Sequence, residues 1–258
     1  MIAELSLVRH FTRYANRVLL RNPGAAFSTL FLPLFFLVVF TLSFGHETLS
    51  INGQQVKDTT FTLAAILVYS IAQACYTNLA VTSTIARESG LLKRIRGTPI
   101  PPRSYLLGQA VNVVQVSLLL VAVSLAVACL AFGVRFPAAT LPALTITLVV
   151  GALAFSLLGL AISAAIPNAD AATAVVNLSI FPLFFASNVF IPFGRLPQWF
   201  DALTQVFPVR PFSEAIKLAL VPTPGSHGFD VADPLELTGW AIIGLVASVR
   251  WFRWEPRR

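Results

Sequence analysis

The chain is 258 residues long, with 56% hydrophobic and only 11% charged residues and a mean hydropathy of +0.78. Soluble globular domains carry about 25% charged residues, so a soluble fold is excluded, and apolar runs that are continuous rather than alternating exclude a β-barrel. A lipid-exposed chain must then satisfy its backbone within helices, which makes this an all-α membrane protein with several spans. The formal charge of +7 and pI near 10.1 would point a soluble protein towards nucleic acid. Here they read as cytoplasmic loop charges obeying the positive-inside bias, and no nucleic-acid partner is expected.

Residues 1–22 open the chain as an amphipathic helix. Arg9, Arg13, Arg17 and Arg21 interrupt it too often for a secretory signal. Leu7, Phe11, Tyr14, Ala15 and Val18 share one helical face while Arg9, Arg13 and Arg17 take the other, the pattern of a helix lying in the headgroup plane. Residues 23–258 then form one membrane domain with six predicted spans, at about 24–45, 60–84, 106–132, 140–164, 171–192 and 235–253. The last is the weakest, because Glu236 and Arg250 bracket a short apolar core; Arg250 can snorkel, and Trp251 and Trp254 suit the aromatic belt. Residues 46–58 read as a polar loop. Residues 194–234 hold two short amphipathic pieces, 196–206 and 211–220, expected to fold back onto the membrane mouth. In the short turn 166–172, Asp170 is placed to cap the fifth span.

An even number of spans leaves both termini on one side. Thirteen of the eighteen Lys and Arg residues stand on that side, among them Arg87, Lys93, Arg94, Arg96 and Arg103; Lys57, Arg135, Arg195, Arg210 and Lys217 stand on the other. Both termini and the basic hairpin 87–108 are therefore expected in the cytoplasm.

No glycine-rich loop ends in Gly-Lys-Ser/Thr, so the chain has no P-loop and any ATP is used elsewhere. His10, His46 and His227 are widely separated and outside the apolar cores, so neither a metal site nor a catalytic residue is assigned, and no cofactor is expected on this chain. Ion-driven carriers place ionisable residues inside their spans. The six span cores hold none, so an ion gradient through this chain is not the expected driving force. Cys75 and Cys129 lie in apolar runs, where an unpaired thiol behaves as a small hydrophobe.

Uncharged polar residues do enter the spans: Gln73, Thr77 and Asn78 in the second, Asn112 and Gln115 in the third, Asn177 and Asn188 in the fifth. Interhelical hydrogen bonds of about 0.6–2 kcal/mol each would account for them. The other reading makes Gln73, Asn78, Asn112, Gln115, Asn177 and Asn188 a substrate path. Pro33, Pro142, Pro182 and Pro192 fall in or beside spans, where membrane helices either simply tolerate proline or use it to kink.

Two stretches carry a family likeness. Arg87, Glu88, Gly90, Leu92, Pro99, Leu107 and Gly108 in RESGLLKRIRGTPIPPRSYLLG, and Pro192, Leu196, Pro197, Trp199 and Pro208 in SNVFIPFGRLPQWF and the FPVRPFSEAIK after it, resemble ABC transporter permeases of the type-2 family. With the amphipathic N-terminal helix and six spans, the resemblance covers essentially the whole chain. It implies an elbow helix at Leu5–Arg21, a cytoplasmic coupling helix near Glu88–Arg96, and extracellular re-entrant helices before the last span. It also implies that Arg87, Glu88, Gly90, Leu91, Leu92, Lys93, Arg94 and Ile95 couple the chain to a separate ABC ATPase subunit, with Glu88 orienting the hairpin and Leu91, Leu92 and Ile95 as buried contacts. ATP and Mg would sit on that partner, so this chain would be a transporter subunit and no enzyme. Six spans are half of such a permease, which implies a second protomer, identical or homologous, among the lipids of the inner (plasma) membrane. The expected function is ATP-driven efflux of a hydrophobic or amphipathic substrate such as a drug, polyketide or lipid. The reading from another class is a polytopic membrane enzyme or assembly factor whose basic hairpin only anchors anionic lipid heads.

Overall fold

The computed structural model describes residues 2–21, 23–44, 48–51, 54–98, 102–135, 138–187, 189, 207–222 and 228–252. Helix α1 (Ile2–Arg21) leads into α2 (Pro23–Phe44), whose first residue is a proline, suited to a position where its missing N–H has no helical acceptor. Among the described residues the fold is all-helical apart from one ladder in the segment expected as a polar loop: β1 (Thr48–Ile51) and β2 (Gln54–Lys57) pair antiparallel, with Thr48 opposite Lys57 and Ile51 opposite Gln54. The residues between them in the sequence are Asn52-Gly53, the strongest short signal of a two-residue hairpin.

Helix α3 (Asp58–Ile71), a π-helical segment (Ala72–Asn78) and α4 (Leu79–Glu88) form one continuous helix. It is followed by α5 (Leu91–Arg96), α6 (Pro102–Phe132), α7 (Leu141–Ser163), α8 (Ala169–Ala186), α9 (Val209–Leu220) and α10 (Ala232–Trp251). Four helices among the described residues are long and apolar enough to cross a membrane: Asp58–Glu88, Ser104–Phe132, Leu141–Ser163 and Ala232–Trp251. The apolar stretches Phe31–Ser43 of α2 and Ala169–Phe184 of α8 are shorter. All six predicted spans fall on helices, but α8 ends at Ala186, short of the predicted 192. Asn188, Pro192 and the amphipathic piece 196–206 lie outside the described residues, whereas the piece 211–220 is α9.

The α3–α4 helix is the centre of the bundle. Leu63, Ile66, Leu67, Ile71, Ala72, Cys75 and Leu79 along it are fully buried. Around it pack Leu37 of α2, Val121 of α6, Phe155 of α7, Phe184 of α8 and Phe212 of α9. Its many alanines and serines let neighbouring backbones approach, which drives association where lipid removes any hydrophobic force between helices. Helix α10 instead lies at the rim, chiefly against α7 and α9.

The bundle has two distinct ends. At one, Phe11 of α1, Leu92 of α5, Tyr105 of α6 and Phe252 after α10 share a small apolar cluster, so the start and finish of the described chain meet the basic hairpin. At the other, the Thr140 hydroxyl donates to the Ala219 carbonyl of α9, and Phe207 stacks on Trp240 with ring centroids 6.4 Å apart.

Candidate functional site

The basic hairpin is built at the end of α4. Arg87 is 2% exposed, and its guanidinium donates to the carbonyls of Ser163 at 2.9 Å and Ile166 at 2.7 Å, the end of α7. Glu88 Oε2 accepts from the Ala169 N–H at 2.7 Å, the first residue of α8. A cation thus sits on carbonyls at a helix C-terminus and an anion on a free N–H at a helix N-terminus, each in its favourable half of the macrodipole. Two adjacent residues therefore hold the turn between α7 and α8 by both of its ends. The N-cap of α8 is Asn168, whose Oδ1 accepts from the Ala171 N–H at 2.8 Å. Asp170, expected as the cap, is exposed in the first turn. Asn168 directly before an apolar run was the readable cap signal.

Gly90 breaks the helix with φ of 71°, a left-handed conformation that favours glycine, and turns the chain into α5. The short helix has two sides. Leu92 is fully buried against Ala86 and Tyr105, with half-buried Ile95 beside it. Leu92 thus docks the hairpin onto its own chain, where the sequence reading made it a contact for a partner. Leu91, Lys93 and Arg94 face outward, Leu91 being 40% exposed.

The expected substrate path divides in two. Asn112 donates to Asn16 Oδ1 at 2.6 Å, and Asn16 donates to Gln115 Oε1 at 3.3 Å, so both α6 residues are engaged by α1. The pairing starts lower down, where the Phe11 and Tyr105 rings meet at 5.5 Å and Thr12 donates to the Gly108 carbonyl at 3.2 Å. Partners advance together along both helices, so α1 runs beside the first turns of α6. Of its predicted apolar face, Tyr14 and Val18 remain exposed, as do Arg9, Arg13 and Arg17. Asn16 was missed because its partners lie about a hundred residues away.

Gln73 and Asn78 lie elsewhere, in a cleft of about 280 Å³ with Pro33 of α2, Thr77, Leu120 of α6 and Thr173 of α8. The Thr77 hydroxyl is buried and has no hydrogen-bond partner among the described residues. The same holds for Asn177 Oδ1, one turn beyond Thr173 on α8. Among the described residues the cleft walls offer neutral hydrogen-bonding groups in an apolar setting and no charge.

At the opposite end, Arg210 and Glu214 of α9 pair at 2.8 Å, and Lys217 Nζ lies 4.7 Å from the centre of the Phe61 ring. Burial pushes the Lys217 ammonium down to about 8, against the pull of Glu214.

The comparison with curated proteins finds no match. A family model described as ABC-2 type transporter matches residues 6–220, from α1 through the hairpin and cleft to the end of α9. The chain therefore belongs to the ABC-2 type transporter family, whose members are membrane components of ABC transporters.

Proposed function

We propose that the chain is the permease subunit of an ATP-driven ABC exporter, moving a hydrophobic or amphipathic molecule such as a drug, polyketide or lipid out of the cell. The observation that carries this reading is the two-sided hairpin: Arg87, Glu88 and Leu92 bind it to its own bundle, while Leu91, Lys93 and Arg94 present an apolar and basic outer face. A separate ABC ATPase, holding ATP and Mg, docks on that face. Helices α2 and α8 complete six spans; eighteen residues of α8 measure about 27 Å, close to the roughly 30 Å hydrocarbon core. The basic asymmetry puts both termini and the hairpin in the cytoplasm, with the protein multi-pass in the inner membrane. The chain has no internal repeat to supply the second wall of a central path, so a second permease protomer provides it. The uncharged cleft suits a neutral or amphipathic substrate.

The test is co-expression of the tagged chain with P-loop ABC ATPases from the same genome. The expected particle holds two permease and two ATPase subunits and hydrolyses ATP, whereas the chain alone does not. Export by the chain alone, in liposomes without any ATPase, would sink the reading.

A further inference from the structure

The central helix is not α-helical in its middle. Over Ala72–Asn78 it takes the π form, in which each N–H bonds five residues back rather than four, so the segment accommodates about one residue more than an α-helix would. Such segments are rare and occur mostly as single widened turns within α-helices. Three neighbours meet this one. On α7, Gly159 makes room for it: a Cβ there would come within 2.7 Å of the Tyr76 carbonyl oxygen and 3.0 Å of the Cys75 oxygen. On α8, Ser179 shares a 2.8 Å hydrogen bond with the Tyr76 hydroxyl. On α6, the Ser117 hydroxyl accepts from the Cys75 thiol at 3.5 Å. Gln73, Ala74, Thr77 and Asn78 of the segment line the cleft. The same helix ends in the Arg87–Glu88 pair that grips the α7–α8 turn.

We propose that Ala72–Asn78 is a register joint between cleft and hairpin, π-helical with the Arg87 and Glu88 grips engaged in one transport conformation, α-helical with them released in the other. This rests on the permease reading above. Each α-helical residue advances about 1.5 Å and about 100°, so absorbing the extra residue turns α4 by about 100° against α3. Hydrogen bonds at 2.7–2.9 Å to the turn do not survive that rotation. The joint has two discrete forms, and the cleft's occupant and the hairpin's partner bias the same equilibrium, the physical content of coupling between distant sites. Gly159 touches neither the cleft nor the outer face of the hairpin; it is a positioning residue that admits the π form.

The experiment measures the distance between spin labels at Ile85→Cys, exposed on α4, and Asp170→Cys, with Cys129 replaced, in the permease–ATPase complex in lipid nanodiscs. Distances are taken without nucleotide and with ATP, Mg²⁺ and vanadate. Otherwise unaltered protein should show a nucleotide-dependent shift of roughly 5–8 Å, the displacement of a group at side-chain radius on such a turn. Deleting Ala72, which is buried and outside the cleft lining, removes the extra residue while keeping Arg87 and Glu88 in phase with their acceptors. That variant should hold the engaged distance under both conditions. Gly159→Ala closes the seat of the π turn and should populate the released distance under both. An unaltered nucleotide-dependent shift in the deletion overturns the joint and leaves the permease reading standing. If the deletion does not accumulate, Gly159→Ala decides alone, and the unaltered shift there overturns the proposal. No shift in the parent protein overturns this proposal and leaves the permease reading standing, since that reading falls only on export without an ATPase.

Discussion

The second and the last spans are nearly matched in hydropathy, yet in their apolar 18-residue cores 83% of the one is buried within the protein and 11% of the other. Hydropathy reports only that both leave water. What separates them is position, not side-chain type: Leu63, Ile66, Leu67, Ile71 and Leu79 sit buried along the central helix, whereas Leu235, Ile242, Ile243, Leu245 and Val246 stand exposed on α10. The buried positions of α10 are Leu237, Gly244 and Ser248, a single narrow stripe. The central helix touches five neighbours and reaches the hairpin, so change there is felt throughout; the rim helix leaves most of its surface outside the bundle.

Breaking the central helix at its end should cost most. Arg87→Ala leaves the Ser163 and Ile166 carbonyls without their donor, at about 1–3 kcal/mol each. A fall of at least about 5 °C in the thermal midpoint in detergent is expected. Lysine at 87 should recover only part of this, because a single ammonium lacks the planar fork that reaches both carbonyls. Next comes a matched pair that measures the contrast itself. Ile66 is fully buried and Ile243 is 53% exposed; Ile66→Ala should cost about 2–5 kcal/mol and Ile243→Ala at most about 0.5 kcal/mol. Equal losses would show that burial within the chain does not govern stability here.

The smallest effect lies at the outer end. Lys217 carries a folded-state value near 8, lowered by burial from its ordinary 10.5. Its charge is disfavoured in the folded chain, so the penalty is fully present below about pH 8 and fades as pH rises towards 10.5. Stability from this group therefore increases with pH across that window. Lys217→Met should abolish the increase, and the unsubstituted chain should gain about 4 °C more than the variant between pH 8 and 10. Parallel curves would contradict the assignment.

Much of the helical plan was legible, because runs of about 20 apolar residues and the basic clusters between them are direct consequences of the bilayer. The hairpin 48–57 was legible too, through Asn52-Gly53, but was read as plain loop. Pairings were not. Leu91 and Leu92 are neighbours with opposite fates, decided by how α5 docks on α1 and α6. Glu88 reads as a charge near a membrane exit, yet its acceptor role depends on an N–H about eighty residues later. Asn112 and Gln115 carried two readings, path lining or interhelical bonds, and their hydrogen bonds to Asn16 fit the second. The π segment leaves no mark in side-chain spacing, since it is defined by backbone bonds that tertiary contacts with Gly159 and Ser179 select.

On the permease reading, the hairpin's inner face holds the chain together while its outer face docks an ATPase. The most direct test is titration of the purified ATPase onto the Lys93→Glu, Arg94→Glu double variant in nanodiscs, at a thermal midpoint matching the parent chain. Both side chains are exposed, so folding should be unchanged. Affinity should weaken at least about tenfold, roughly 1.4 kcal/mol, with the stimulation of ATP hydrolysis lost. Parent-like affinity and stimulation in that variant would contradict docking on this face.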